Sequence, residues 1–188
     1  LELDMPRMAR LDPLVRLVLR VGAEAWASAA TADLDRERVS VVLANIALPT
    51  ESGSALTREI LGRPLEERIL KSRASRASDS DLGADPLDRW VTGLPAGLLA
   101  TGLGLGGGSY TLDAACASSL YSLHLGCEAL RAGRSDAVLA GGVSRPDCLY
   151  TQLGFSQLRA LSPSGRCSPF DSRGDGLVVG EGAGIFVL

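Results

Sequence analysis

Two short runs, Val39 to Ile46 (VSVVLANI) and Ala137 to Val143 (AVLAGGV), constrain this chain more than any other feature. Neither carries a charge. Both match strands buried on two faces of a parallel sheet. Helical segments surround them. Asp12-Pro13 supplies a capping carboxylate and a proline at the first helical position. Leu14, Leu17, Val18, Val21 and Ala25 then recur at helical spacing, with Arg16, Arg20 and Glu24 on another side. A second apolar helix is expected over 93–105, followed by a Gly106-Gly107-Gly108 turn and a strand from Tyr110 to Ala115. Ser118 to Ala132 reads as a helix closed by Gly133. Short helices are expected over 50–62 and 147–160, a loop over 161–176, and strand material over 177–188. Strands alternating with helices define an α/β class with mostly parallel pairing.

Composition narrows the partners. Net charge is −3 and aromatic residues make up 4%, so neither a basic grip on nucleic acid or anionic membrane nor a base-stacking surface is expected. Trp90 to Leu112 lacks charge, but its seven glycines and Pro95 argue against a membrane span. Glu2, Asp4, Arg7 and Arg10 do not make a secretory leader, and a cytoplasmic location is expected. Cys116, Cys127, Cys148 and Cys167 form no CxxC pair and have no histidine at metal-binding spacing, so free thiols are expected rather than disulfides or a metal site. The chain begins at Leu1 and stops within an apolar run, Gly184 to Leu188, which suggests a fragment truncated at both ends. Residues 63–89 mix both charge signs with serine and two prolines. They read as a solvated surface insertion with a short helix at its start, or as a docking surface for a neighbouring domain or carrier.

The chemistry concentrates at Asp113-Ala114-Ala115-Cys116-Ala117-Ser118-Ser119. A strand runs into small residues, with a cysteine where a helix begins. Free N–H groups and the positive helix end favour a thiolate there, and small neighbours admit a substrate. The same N–H groups can hold an oxyanion. The pattern is a nucleophile elbow with sulfur in place of oxygen. Taken alone, it equally fits a cysteine packed as a small hydrophobe.

The stretches TLDAACASSLYSLHLGCEALRAGRSDAVLAGGVS and QLRALSPSGRCSPFDSRGDGLVVGEGAGIFVL strongly resemble β-ketoacyl synthases, and together they cover Thr111 to Leu188. LDPLVRLVLRVGAEAW is similar to the family's early helix, more loosely. The resemblance implies a thiolase-like α/β fold, with this chain as the N-terminal half of a layered αβαβα enzyme. It implies that Cys116 accepts an acyl chain as a thioester from an acyl carrier protein, its backbone N–H facing the oxyanion. A decarboxylating malonyl-type extender then condenses with that chain, in fatty acid or polyketide synthesis. No cofactor bound by this domain is implied, since substrates arrive on the phosphopantetheine of the carrier. A homodimer and a multidomain synthase are implied as partners.

The family also uses two histidines and a lysine motif from its C-terminal half. The single histidine here, His124, lies eight residues along the Cys116 helix, about 12 Å of rise. It shares a helical face with Leu120, Leu123 and Cys127, and is expected to be a core or network residue. The catalytic pair is therefore expected beyond Leu188, leaving the fragment inert in condensation. Gly165-Arg166, Pro169-Phe170-Asp171 and Gly180-Glu181-Gly182 match loops that pack around the family's active site. Asp171, Arg173, Asp175 and Glu181 are expected in buried salt bridges or turns. Cys127 and Cys148 are expected in the core, Cys167 in an exposed loop. Gly102, Gly104 and Gly107 spell GxGxxG, but a strand follows where a dinucleotide site needs a helix.

Thr92-Gly93-Leu94-Pro95-Ala96 departs from the polar Asn-Arg-Ile-Ser-type segment of many modular polyketide synthases, and the triple glycine replaces a more usual Gly-Pro. With CLYTQLGFSQLRALSPSG, these features look more like ketosynthases of polyunsaturated-fatty-acid synthases and related iterative systems. The rival readings are a non-catalytic subunit similar to chain-length factors, a carrier-docking module, and a thiolase or cysteine hydrolase. Cys116 speaks against the first; SPSGRCSPFD and GEGAG favour a condensing enzyme over the last.

Overall fold

The structure is a computed structural model that describes residues 4–46, 58–70, 87, 93–145 and 149–188. Its helices are α1 (Met5–Met8), α2 (Pro13–Ser28), α3 (Arg63–Leu70), α4 (Leu94–Leu103), α5 (Ser118–Arg131) and α6 (Leu149–Gln157). The strands are β1 (Val39–Asn45), β2 (Ser109–Leu112), β3 (Ala137–Ser144) and β4 (Gly182–Val187). They form one sheet in the order β2-β1-β3-β4. β1 runs parallel to both β2 and β3, and β4 closes the β3 edge antiparallel.

The uncharged runs become the two central strands because the sheet is covered on both faces, and β1 is buried along its whole length. Side chains alternate between the faces, as the pleat requires. Val39, Val41, Leu43 and Leu139 pack on one side against Leu14, Val15, Val18 and Leu99 of α2 and α4. Val42, Val138 and Ala140 point the other way, toward Leu123, Ala129 and Leu130 of α5.

The helix boundaries follow from local chemistry. Asp12 caps α2 by accepting a 2.9 Å hydrogen bond from the Leu14 N–H, and Pro13 takes the first turn. α4 stops at Gly104, whose φ of +63° is the left-handed conformation that favours glycine. Of the uncharged run 90–112, residues 94–112 are thus a ten-residue helix, a glycine turn and a strand, and 90–92 lie outside the described residues. Gly107 lies so close to the Val39 backbone that a Cβ there would stand 2.6 Å from its carbonyl carbon. The GxGxxG spelling is therefore a turn that lets β2 dock on β1, as expected.

The strands at the ends are shorter than the sequence suggests. β2 ends at Leu112 rather than Ala115, because Asp113 and Ala114 leave the sheet to make the elbow. Strand pairing at the C-terminal end starts at Gly182; before it, Leu177 forms only an isolated bridge with Leu161. The short helix expected within 147–160 is α6. Of the helix expected over 50–62, residues 58–62 form a π-helical turn leading into α3, and 50–57 lie outside the described residues. The insertion begins with the helix expected for it, α3, whose Leu65, Ile69 and Leu70 are exposed. Residues 71–86, 88 and 89 lie outside the described residues. Among the described residues no helix is long and apolar enough to cross a membrane.

Candidate active site

The elbow is built from hydrogen bonds of its own small residues. After β2, the Asp113 carboxylate accepts a 2.8 Å hydrogen bond from the Ala115 N–H. Ala115 has a φ of +51°, a left-handed conformation that costs a residue bearing a Cβ about 1–2 kcal/mol. Ser118 over-determines that turn. Its hydroxyl donates to the Ala115 carbonyl at 2.7 Å and accepts from the Ala114 N–H at 2.8 Å. Cys116 therefore sits in a single tight turn, Ala115–Ala117, that feeds directly into α5. N–H groups at a helix start have no partner within the helix.

α5 is held to the sheet by small residues. The Ser122 hydroxyl, buried, donates to the Val42 carbonyl at 2.7 Å and accepts from the Gly141 N–H at 2.8 Å, tying the helix to β1 and β3 together. A Cβ on Gly142 would stand 3.1 Å from the Cβ of Ser119, so glycine there lets the helix start lie close on β3.

The Cys116 side chain is exposed and lines an open cavity of about 550 Å³. Asn45 at the end of β1 and Ser144 at the end of β3 are among its lining residues, which puts the cavity at the C-terminal ends of the parallel strands. Open α/β sheets bind ligands at that end. Thr151 and Phe155 of α6 wall one side; Leu177, Val179 and Gly180 come from the following loop, and Phe186 from β4. Part of the loop region expected to pack around the site therefore does so. Asn45, Ser144, Thr151 and Phe155 were not singled out from the sequence. The i, i+4 spacing of Thr151 and Phe155 places both on one face of a helix, a signal that could have found them.

Other expectations need correction. His124 is exposed, not a core residue, and Leu120 on the same face is exposed as well. The buried stripe of α5 is Ser118, Ser122 and Gly126, which turns the larger side chains outward. His124 contributes to holding the Glu128 carboxylate below its usual range, after the dominant hydrogen bond from Arg131. Cys127 is half-buried rather than core, Cys167 is exposed as expected, and Cys148 lies outside the described residues. The cysteines described are free thiols.

The acidic loop residues are turn and surface groups rather than buried pairs. Arg173 pairs with Asp171 two residues away at 2.9 Å, lowering that carboxyl's pKa. Asp175 accepts from Ser162, and hydrogen bonds from Ser162 and Ser164 lower its pKa. Glu181 pairs with Arg145 at 3.2 Å and is largely exposed. Among the described residues, no group of three or more His, Cys, Asp or Glu side chains could hold a metal ion.

A helix-start cysteine on a tight turn opens here on the C-terminal edge of an α/β sheet covered on both faces, and the solved structures this chain resembles are thiolase-like ketosynthases. Within that class the chain belongs to the β-ketoacyl synthases: the model of the family's N-terminal domain matches residues 2–188. It is 46% identical over 101 residues to a phenolphthiocerol/phthiocerol polyketide synthase protein of Mycobacterium tuberculosis, a match covering 52% of this chain and 6% of that protein. The chain thus spans a small part of the polyketide synthase relatives it matches. Among solved structures it resembles the PfaC keto synthase-chain length factor, with a TM-score of 0.81 and 34% identity over 98% of this chain and 21% of that one. It also resembles the AntDE ketosynthase solved with its acyl-carrier protein AntF, with a TM-score of 0.68 and 25% identity over 93% of this chain and 42% of that one. The chain is accordingly a ketosynthase-family domain.

Proposed function

We infer that Cys116 is the nucleophile of a β-ketoacyl-acyl carrier protein synthase, and that this chain is the N-terminal part of its ketosynthase. The observation that carries the reading is the exposed Cys116 thiol, on a strained and hydrogen-bonded elbow, lining the cavity at the strand ends. Its thiolate attacks the carbonyl of an acyl chain held on the phosphopantetheine of a carrier. The tetrahedral oxyanion faces the Cys116 N–H, the carrier thiol leaves with a proton, and the chain becomes a thioester of Cys116. A malonyl-type extender on a second carrier then loses carbon dioxide. The resulting carbanion attacks the thioester carbonyl, a carbon–carbon bond forms, and the Cys116 sulfur is released. The product is a β-ketoacyl chain on the carrier.

The groups that decarboxylate the extender lie outside this chain in this reading, because the chain's single histidine, His124, is not among the residues that line the cavity with Cys116. The isolated chain is then inert in condensation. The complete protein works in the cytoplasm as a homodimeric part of a multidomain synthase, without a cofactor bound by this domain. The relatives' polyketide synthase names and the carrier complex of AntDE support the synthase and carrier parts of that setting. The chain-length-factor-like alternative draws on the PfaC relative, whose chain combines both kinds of domain. Retention of Cys116 on an open cavity favours the ketosynthase.

The test is Cys116→Ala in the full-length protein, assayed for condensation of acyl- and malonyl-carrier substrates. Loss to background with folding intact supports the nucleophile. Condensation at the parent rate overturns it and leaves a docking or non-catalytic role.

A further inference from the structure

Glycine inside a strand gives up side-chain packing and loses more chain entropy than alanine. It therefore marks a bulge, a sharp bend, or the close approach of a ligand or another backbone. The glycines of β3 and β4 divide on that criterion. A Cβ on Gly141 would overlap the Gly184 carbonyl oxygen, and one on Gly142 would stand 3.1 Å from the Ser119 Cβ, so packing explains both. Gly182 and Gly184 differ. Neither has a positive φ, and β4 pairs with β3 in regular register through both. A Cβ on either would meet no heavy atom within 4 Å among the described residues.

Their place in the sheet shows what the missing side chains leave open. Ala183, Ile185 and Val187 pack against the core of α2 and α4, so alternation turns Gly182, Gly184 and Phe186 to the opposite face. That is the face of α5, which Ser122 ties to β1 and β3. Gly182, Gly184 and Phe186 accordingly line the cavity with Cys116. Gly184 stands opposite Gly142 in the ladder, and Gly142 is the glycine against which Ser119, one turn past Cys116, is seated. A path thus leads from the thiol past Ser119 onto the bare Cα atoms of β4 and toward Phe186.

We propose that Gly182 and Gly184 are specificity-determining residues, whose missing side chains leave the space in which the hydrocarbon part of an acyl chain lies once Cys116 carries it. The proposal rests on the Cys116 nucleophile reading and adds the route of the chain across β4. Leu123, Phe155 and Phe186 give that route apolar walls suited to a hydrocarbon. An acetyl group stays at the thiol and needs none of it. A methyl group added at 182 or 184 touches no described residue of the protein, so its effect on loading reports the substrate.

The experiment uses the full-length protein and the N-acetylcysteamine thioesters of acetate and octanoate. Loading of Cys116 is followed by peptide mass. The ratio of kcat/KM for octanoyl over acetyl is compared among the parent, Gly182→Ala, Gly184→Ala and Gly184→Val. The ratio should fall in all three variants, by about tenfold in Gly184→Val, as overfilling a packed space does. The denaturation midpoint should not fall with either alanine, which loses less chain entropy in a strand than glycine. An unchanged ratio, or an equal loss for both thioesters, overturns the proposal. So does a lowered midpoint in the alanine variants, which would place another part of the protein on β4 instead of the acyl chain. In each of these cases octanoyl-Cys116 in the parent still upholds the nucleophile. If neither thioester loads Cys116 in the parent, the nucleophile reading fails and this proposal with it.

Discussion

The two faces of the sheet are built differently. One is covered by α2 and α4, and its packing is interlocked. Leu99 lies so close to Gly22 that a Cβ there would overlap its side chain, and Leu14, Val15, Val18, Leu43 and Leu139 are fully buried. Among the described residues the other face is covered chiefly by α5, through a buried stripe of Ser118, Ser122 and Gly126 flanked by the partly buried Leu123, Ala129 and Leu130. Leu120, Tyr121, Leu149, Tyr150, Leu153 and Phe186 on α5, α6 and β4 are exposed. The cavity and Cys116 belong to this second side. Stability and the proposed chemistry are thus separated, one face supplying the core and the other a polar-bonded platform for the elbow.

Removing a core side chain should break that contrast most strongly. Leu139→Ala empties a site with 0% exposure and should cost about 2–5 kcal/mol in chemical denaturation. Leu120→Ala, at a site 70% exposed, should change the stability of the isolated 188-residue chain by less than about 0.5 kcal/mol. A larger loss in the full-length protein than in the isolated chain would show that other residues cover this face.

The platform should be next in sensitivity. Ser122→Ala leaves the Val42 carbonyl and the Gly141 N–H without their shared partner and should cost about 1–3 kcal/mol. Ser118→Ala removes two of the three hydrogen bonds that hold the turn at Ala115, leaving the one to Asp113. It should slow acylation of Cys116 severalfold while shifting the denaturation midpoint less than Ser122→Ala does; the reverse order would contradict the separation.

The smallest effect should come from the Arg38–Asp136 pair, which joins the starts of β1 and β3 through two 2.7 Å hydrogen bonds. The Arg38 hydrogen bond holds the Asp136 carboxyl below its ordinary value. A depressed carboxyl stabilises the fold above its unfolded pKa and loses that contribution as pH falls through the lower folded value. Asp136→Asn should therefore be slightly less stable than the parent at neutral pH and equal to it in acid. Because both side chains are well exposed, salt should shrink the difference.

Much of this was legible in the residues. Asp12-Pro13 fixed where α2 starts, the uncharged runs became β1 and β3, and glycines 104 and 133 close α4 and α5 at positive φ. The elbow was legible because few arrangements put a cysteine among Ala, Ala, Ala and Ser between a strand and a helix. The orientation of α5 was not. Apolar periodicity favours the face with Leu120, Leu123 and Cys127, whereas the helix turns its small residues inward so that hydroxyl bonds and close backbone approach can form. His124 was misplaced for that reason. Thr151 was passed over because one hydroxyl in a mixed helix carries no signal until its surroundings show that it lacks a partner.

The central claim is that one thiol of this chain, and no other, carries the acyl group. Incubating the full-length protein with acyl-carrier substrate and mapping the labelled peptides tests it most directly. The account predicts the acyl thioester on Cys116, the exposed thiol that lines the cavity. An acyl group on Cys127 or Cys167, with Cys116 unmodified, would contradict it.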